Sequence, residues 1–351
     1  MGSITANPFQ DIPEARTEPI FLLVYTRQMK GKHMYFPVYW RIVSTQTLGA
    51  SGGCHAGAVL LRDHYEPWKR SGKPEIFIPD DTWCKFPILT SSVVPCSDQL
   101  PVNHPFLFKS AGIKPTIIPY FNHKTNSFDF EAFTATLREL PAQSVILIQS
   151  NAQNPTGSDP SPQQWRELAT IFSQRGHLAF FDAAYPGFAS GDIDTDLQGV
   201  RFERVGLLSV LTANEDTAKK LEVQMKLLAR AESGAPPDFG SKIVETVLSD
   251  EALKAQWREE VRDMANRLKQ RRLRLREGLE KLETPGNWNH ITEQNGMFSY
   301  IGLSVEQVTL LRDEYHVYLQ DSSRISIAGL NNFNIDYVAR SISAVVKATT
   351  K

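Results

Sequence analysis

The sequence predicts an α/β fold, and three observations carry the prediction. The first is a strand, helix and strand in direct succession. Val145-Ile146-Leu147-Ile148 is an apolar run that spills into the turn Asn154-Pro155-Thr156-Gly157. Pro160 and Pro162 open a helix, Trp165, Leu168, Ala169 and Phe172 recur at helical spacing, and Gly176 closes it before Leu178-Ala179-Phe180-Phe181. That order reads as a parallel crossover unit. Asn154 and Asp182 then emerge at the carboxyl ends of neighbouring strands, where open α/β sheets hold their ligands. The second observation is a series of further apolar runs between helical stretches: Glu75 to Ile78, Pro115 to Tyr120, and Leu207 to Leu211. The third is a long amphipathic helix over residues 251–283, with Leu253, Trp257, Val261, Met264, Leu268, Leu275, Leu279 and Leu282 at steps of three, four or seven. It reads as a bridge to a second, smaller α/β unit.

The 351 residues, 41% of them hydrophobic, suffice for one large core and a smaller one. A net charge of −1 gives no electrostatic case for nucleic acid or an acidic membrane surface. The basic run Lys269, Arg271, Arg272, Arg274 and Arg276 shares its helix with Glu277 and Glu280 and reads as a solvated face. Cys54, Cys84 and Cys96 are an odd count without Cys-x-x-Cys spacing, which argues against a disulfide framework and against a thiolate metal site. A reducing, cytoplasmic setting fits. The first six residues lack the blocks of a signal peptide and fail the myristoylation pattern, and Phe21-Leu22-Leu23-Val24-Tyr25 is far too short to span a bilayer.

Gly49-Ala50-Ser51 opens a helix carrying Ala56, Ala58, Val59 and Leu61, so free backbone N–H groups and a positive dipole end face an anion. Phe128-Asp129-Phe130-Glu131 starts a helix through Leu137, and Glu215 to Ala229 is another. In the C-terminal part, Met297 to Tyr300, Val317 to Leu319 and Arg324 to Gly329 read as strands, and Val305 to Tyr315 and Ile335 to Val346 as helices. Residues 84–102, with Pro87, Pro95 and Pro101 and no periodicity, look inserted. Cys84-Lys85 can be encoded with a splice-donor sequence, so a retained intron is one reading of the segment.

Several motifs now stand in order: Gln46-Thr47-Leu48-Gly49-Ala50-Ser51-Gly52, Trp83, Asn103-His104, Asn154-Pro155-Thr156-Gly157, Asp182-Ala183-Ala184-Tyr185, Glu203-Arg204-Val205-Gly206, Gly296-Met297-Phe298 and Arg324-Ile325-Ser326. Together they resemble the aspartate aminotransferase subgroup of the fold-type I, pyridoxal-phosphate-dependent aminotransferases, over about residues 44–83 and 103–351. The resemblance implies a large, doubly wound, mostly parallel sheet domain and a smaller C-terminal α/β domain. It divides the chain into an N-terminal arm and degenerate segment at 1–43, a cofactor-binding domain at 44–264 and a small domain at 265–351.

By the same resemblance, Asp182 holds the ring nitrogen of pyridoxal phosphate protonated, Asn154 and Tyr185 bond the ring hydroxyl oxygen, and Trp83 stacks on the ring. Gly49, Ala50, Ser51 and Arg204 receive the phosphate. Arg324 takes the α-carboxylate of the substrate, Arg230 the distal carboxylate of a dicarboxylic amino acid, and Glu232 stands close enough in sequence to neutralise Arg230. An amino acid and a 2-oxo acid are the implied substrates, and a homodimer the implied assembly.

The departure from the family is chemical. Its members carry a Ser-x-x-Lys segment before the Arg-Val-Gly turn, and that lysine forms the Schiff base. Here the chain runs from Asp196 to Arg204 with no such segment, and no lysine lies between Thr125 and Ala218. A deletion after Asp196 is the reading, and it predicts a sheet that lacks one strand after Ser190. Three accounts follow: an aspartate-aminotransferase-like enzyme whose sequence is damaged by gene-model error, a non-catalytic relative that binds cofactor or dimerises with an intact homologue, and a structural or nucleic-acid-binding protein resting on the basic helix alone.

Overall fold

The computed structural model describes residues 21–25, 41–82, 104–196, 207–234 and 238–350. Strands β1 (Phe21–Tyr25) and β2 (Ile42–Gln46) come first, followed by helices α1 (Gly49–His64) and α2 (Glu66–Ser71). Then come β3 (Glu75–Pro79), α3 (His104–Ser110), β4 (Lys114–Ile118) and a small hairpin, β5 (Phe121–Asn122) and β6 (Ser127–Phe128). The crossover region follows as α4 (Phe130–Glu139), β7 (Val145–Gln149), α5 (Pro162–Arg175), β8 (Leu178–Asp182) and the short α6 (Ile193–Asp196). Next are β9 (Leu207–Leu211), α7 (Glu215–Ser233), α8 (Asp238–Ser249) and the 31-residue α9 (Glu251–Lys281). The chain closes with α10 (His290–Glu293), β10 (Phe298–Tyr300), α11 (Val305–Tyr315), β11 (Arg324–Ser326), a 3₁₀ turn and α12 (Ile335–Thr349).

Seven strands form one sheet in the order β2-β9-β1-β8-β7-β3-β4. The five from β1 to β4 run parallel, and β9 is antiparallel to both of its neighbours. Buried strands of such a sheet must be apolar on both faces. In β7, Val145 and Leu147 face a core shared with α1, α3 and α7, whereas Ile146 and Ile148 face one shared with α4 and α5. The sheet is thus doubly wound.

The predicted start and stop chemistry operates at α5. Pro162 is its first residue and Gly176 ends it in the left-handed region at φ +64°, while Ser161 and Gln164 add a reciprocal capping box that the sequence reading does not foresee. A third core joins the second half of α9 (Leu268, Leu275, Leu279) to Trp288, Ile291, α11 and α12. This is the small C-terminal α/β unit.

Two expectations change. Val317 to Leu319 form no strand; only β10 and β11 pair there. The sheet has no gap after β8, because β1 occupies it, parallel to β8 with Val24 opposite Asp182 and antiparallel to β9 with Leu23 opposite Ser209. Residues that the sequence reading assigned to an arm and degenerate segment therefore supply a central strand. A buried strand edge leaves backbone N–H and C=O groups unpaired, and any extended segment with free groups of its own can satisfy them.

Candidate active site

Asp182 is the last residue of β8 and 5% exposed, so its carboxylate sits at the carboxyl end of the sheet but out of water. His104, the first residue of α3 and fully buried, faces it with Nε2 3.0 Å from Asp182 Oδ2. The other ring nitrogen, Nδ1, lies 2.7 Å from the hydroxyl of Thr82, which follows β3. Asp182 Oδ1 is buried with no hydrogen-bond partner among the described residues. A buried carboxylate oxygen of that kind calls for a donor or a cation. Cys54, on the second turn of α1, closes the group: its sulfur, one atom of His104 and one of Asp182 all lie within 4.8 Å of one another. Burial pushes the Cys54 thiol well up, and the charge of Asp182 adds to the effect.

The turn after β7 is held from both sides. Gln149 accepts from Asn154 N at 2.8 Å and donates to Asn154 O at 2.9 Å, and Asn151 Nδ2 donates to Tyr185 O at 2.8 Å. Asn154 Nδ2 then donates to Tyr185 Oη at 3.1 Å. Asp159 accepts from the N–H groups of Ala152 and Gln153, and burial raises its pKa to about 6 despite those bonds.

Arg324 arrives from β11 and donates to Asn154 Oδ1 at 3.3 Å, so the C-terminal unit reaches the turn as the sequence reading expected. Its guanidinium lies over the Phe298 ring at 4.1 Å, and burial lowers its pKa against the opposing fields of Tyr185 and Tyr300.

Gly49, Ala50 and Ser51 form the first turn of α1, with Gly49 at φ +68° and no side chain capping the helix. The N–H of Gly49 bonds Thr47 O, and those of Ala50 and Ser51, donors of a helix start, have no backbone partner among the described residues. Arg230 stands near the end of α7 and is exposed to solvent. Glu232 bonds His55 Nδ1 at 2.9 Å. Trp83 and Arg204 lie outside the described residues.

The motif that contains His104 assigns it no role, and the cysteine spacing assigns none to Cys54. The only local signal for His104 was its place after Asn103, and for Cys54 there was none. Their meeting with Asp182 depends on how α1 and α3 pack on the sheet.

The family model described as aminotransferase class I and II matches residues 102–203 and 198–342, two segments that meet between Asp196 and Arg204. The cytoplasmic aspartate aminotransferase of Oryza sativa is 34% identical over 328 residues, covering 87% of this chain and 75% of its own length. The mitochondrial enzyme of Dictyostelium discoideum is 39% identical over 267 residues, covering 70% of this chain; the chain spans 63%, under two thirds, of that relative. Among solved structures, the cytoplasmic aspartate aminotransferase of Saccharomyces cerevisiae superposes with a TM-score of 0.77 at 32% identity, covering 88% of this chain and 76% of its own. An aromatic-amino-acid aminotransferase of Burkholderia pseudomallei, covalently bound to pyridoxal phosphate, has a TM-score of 0.77 at 31% identity, over 87% and 76% of the two chains. The sheet order, the carboxylate at the end of β8 and these likenesses agree: the chain belongs to the class I and II aminotransferases and is aspartate-aminotransferase-like.

Proposed function

We propose that this chain keeps the pyridoxal-phosphate pocket of an aspartate aminotransferase and lacks the amine that makes the pocket catalytic. The observation that carries the reading is Asp182 Oδ1, buried and unpartnered beside the His104 pair, where a protonated ring nitrogen would supply the missing donor. Bound there, the cofactor would act as an electron sink for a substrate α-carbon. Asn154 and Tyr185 would hold the ring hydroxyl oxygen, and Trp83 would cover the ring. The N–H groups at Gly49, Ala50 and Ser51, with Arg204, would take the phosphate. Arg324 would orient the α-carboxylate of an amino acid or 2-oxo acid, and Arg230 would favour a dicarboxylic one. Each charged bond contributes about 1.5 to 3 kcal/mol.

We assign β1 and residues 44–264 to the cofactor unit and 265–351 to the unit that brings Arg324. A cytoplasmic homodimer is part of the same reading. Among the described residues no helix is long and apolar enough to cross a membrane.

Proton transfer at the α-carbon needs a positioned acid–base, and its loss costs roughly 10²- to 10⁴-fold in rate. Lys219 pairs with Glu215 at 2.9 Å and Lys242 pairs with Asp238, both on exposed helix faces. Those partners raise both lysine pKa values, the wrong direction for an amine that must be neutral to attack. The expected result is weak cofactor binding and negligible transamination of aspartate with 2-oxoglutarate. The test is to express the full chain, add pyridoxal phosphate, reduce with borohydride and map any modified lysine by mass spectrometry. A single stoichiometric pyridoxyl-lysine with aspartate turnover overturns the reading. Sequencing the transcript then separates its two sources: a message with a lysine codon before Arg204 identifies an intact enzyme behind a gene-model error, and one without it a non-catalytic relative.

A further inference from the structure

Cys54, His104 and Asp182 come from α1, α3 and the end of β8, are at most 5% exposed, and present a sulfur, a nitrogen and an oxygen within 4.8 Å of one another. One oxygen of the group, Asp182 Oδ1, has no hydrogen-bond partner among the described residues. We infer that these three side chains form a site for one divalent cation of the zinc class, a site that the cysteine spacing gave no reason to expect.

The geometry is close to what such an ion requires. Zinc bonds nitrogen and oxygen at about 2.0–2.1 Å, so tetrahedral ligands stand about 3.3 Å apart. His104 Nε2 and Asp182 Oδ2 are already 3.0 Å apart, and the sulfur must close by about 1 Å from the 4.8 Å limit. A mixed thiolate, imidazole and carboxylate set selects zinc(II) or cobalt(II) over magnesium or calcium, which want oxygen ligands alone.

Charge points the same way. A dication with one thiolate, one carboxylate and one neutral imidazole sums to zero, so the buried cluster escapes the penalty of an unpaired interior charge. On binding, the Cys54 S–H bond breaks, the metal–sulfur bond forms and one proton leaves to solvent. In the tautomer that donates from Nε2 to the Asp182 carboxylate, the imidazole proton moves to Nδ1. Thr82 Oγ1, 2.7 Å away, accepts it as readily as it donated before, because a hydroxyl does both. Thr82 is thereby the outer partner that orients the metal-binding histidine. The fourth position stays open to water. Asp182 is also the group offered above to the ring nitrogen, so cation and cofactor exclude each other.

The test uses the full chain, stripped of metal and without cofactor, titrated with cobalt(II). The expected result is one equivalent bound with a thiolate-to-cobalt charge-transfer absorption, displaced by zinc(II). Cys54→Val should lose the absorption and bind zinc at least about 100-fold more weakly, while Thr82→Val keeps the absorption and binds about 10- to 100-fold more weakly. Near-ultraviolet circular dichroism checks the fold of each, and Cys54→Ser serves if Cys54→Val does not fold. No stoichiometric binding, an absorption that persists in the Cys54 variants, or an unchanged affinity in Thr82→Val overturns the site. None of these readouts needs pyridoxal phosphate, so their failure is separate from failure of the cofactor reading.

Discussion

Gly157 lies at φ +70°, and a Cβ placed on it would stand 2.6 Å from Asn295 O and 2.9 Å from Phe298 O. Its own carbonyl accepts from Asn295 N at 2.6 Å. The turn that carries Asn154 is therefore pressed onto backbone of the C-terminal unit, and backbone cannot swing aside as a long side chain can. Gly157→Ala combines a left-handed conformation with that clash, and we expect a loss of about 1–3 kcal/mol. Urea midpoints of the two chains check it; equal midpoints would mean that the turn retreats freely. The turn itself was legible from Asn154-Pro155-Thr156-Gly157, since Pro and Gly punctuate any chain locally. That Gly157 also makes room for Asn295 was not, because nothing near either residue records the other.

Helix α9 shows the same division at the level of an element. Its length and apolar stripe are readable in the sequence, but the basic run that reads as a solvated face contains Arg272, which is 2% exposed. The Arg272 guanidinium donates to Ile291 O at 2.9 Å, Asn295 O at 2.9 Å and Gly296 O at 3.0 Å, and also to Phe298 O. Its neighbours are engaged as well: Lys269 with Ser190 O, Arg274 with Asn332 and Asp336, and Arg276 with Glu280 and Thr292. Charge counting along a helix cannot distinguish a residue that meets water from one that meets carbonyls of a distant loop. Arg272→Lys offers one compact ammonium with three donors in place of a planar fork, so at least one of these four carbonyls loses its partner. The expected cost is about 1.5 to 3 kcal/mol, the contribution of one charged hydrogen bond. Chemical denaturation measures it, and a wild-type midpoint would show that lysine reaches the same carbonyls.

For the whole molecule the decisive feature is β1 between β8 and β9. A proline there removes an N–H from a strand paired on both sides, so Leu23→Pro should cost about 3 kcal/mol or more. It should also uncover two strand edges that recruit other chains. The expected outcome is aggregation, with faster amide hydrogen exchange in Leu178–Asp182 and Leu207–Leu211. A soluble variant with unchanged protection of both segments would show that the sheet does not depend on β1.

Within short windows the sequence alone determined the α/β class, the crossover unit around α5, the apolar strands and the order of motifs that marks the family. These rest on periodicity and turn chemistry, which act over one or two turns of chain. The absence of any lysine between Thr125 and Ala218 is also visible without a structure. Tertiary structure decided which segment stands beside β8, and it brought Cys54, His104 and Asp182 to one point, with His104 and Asp182 78 residues apart. A strand edge presents the same row of N–H and C=O groups to every extended segment, so its partner is chosen by competition across the whole chain.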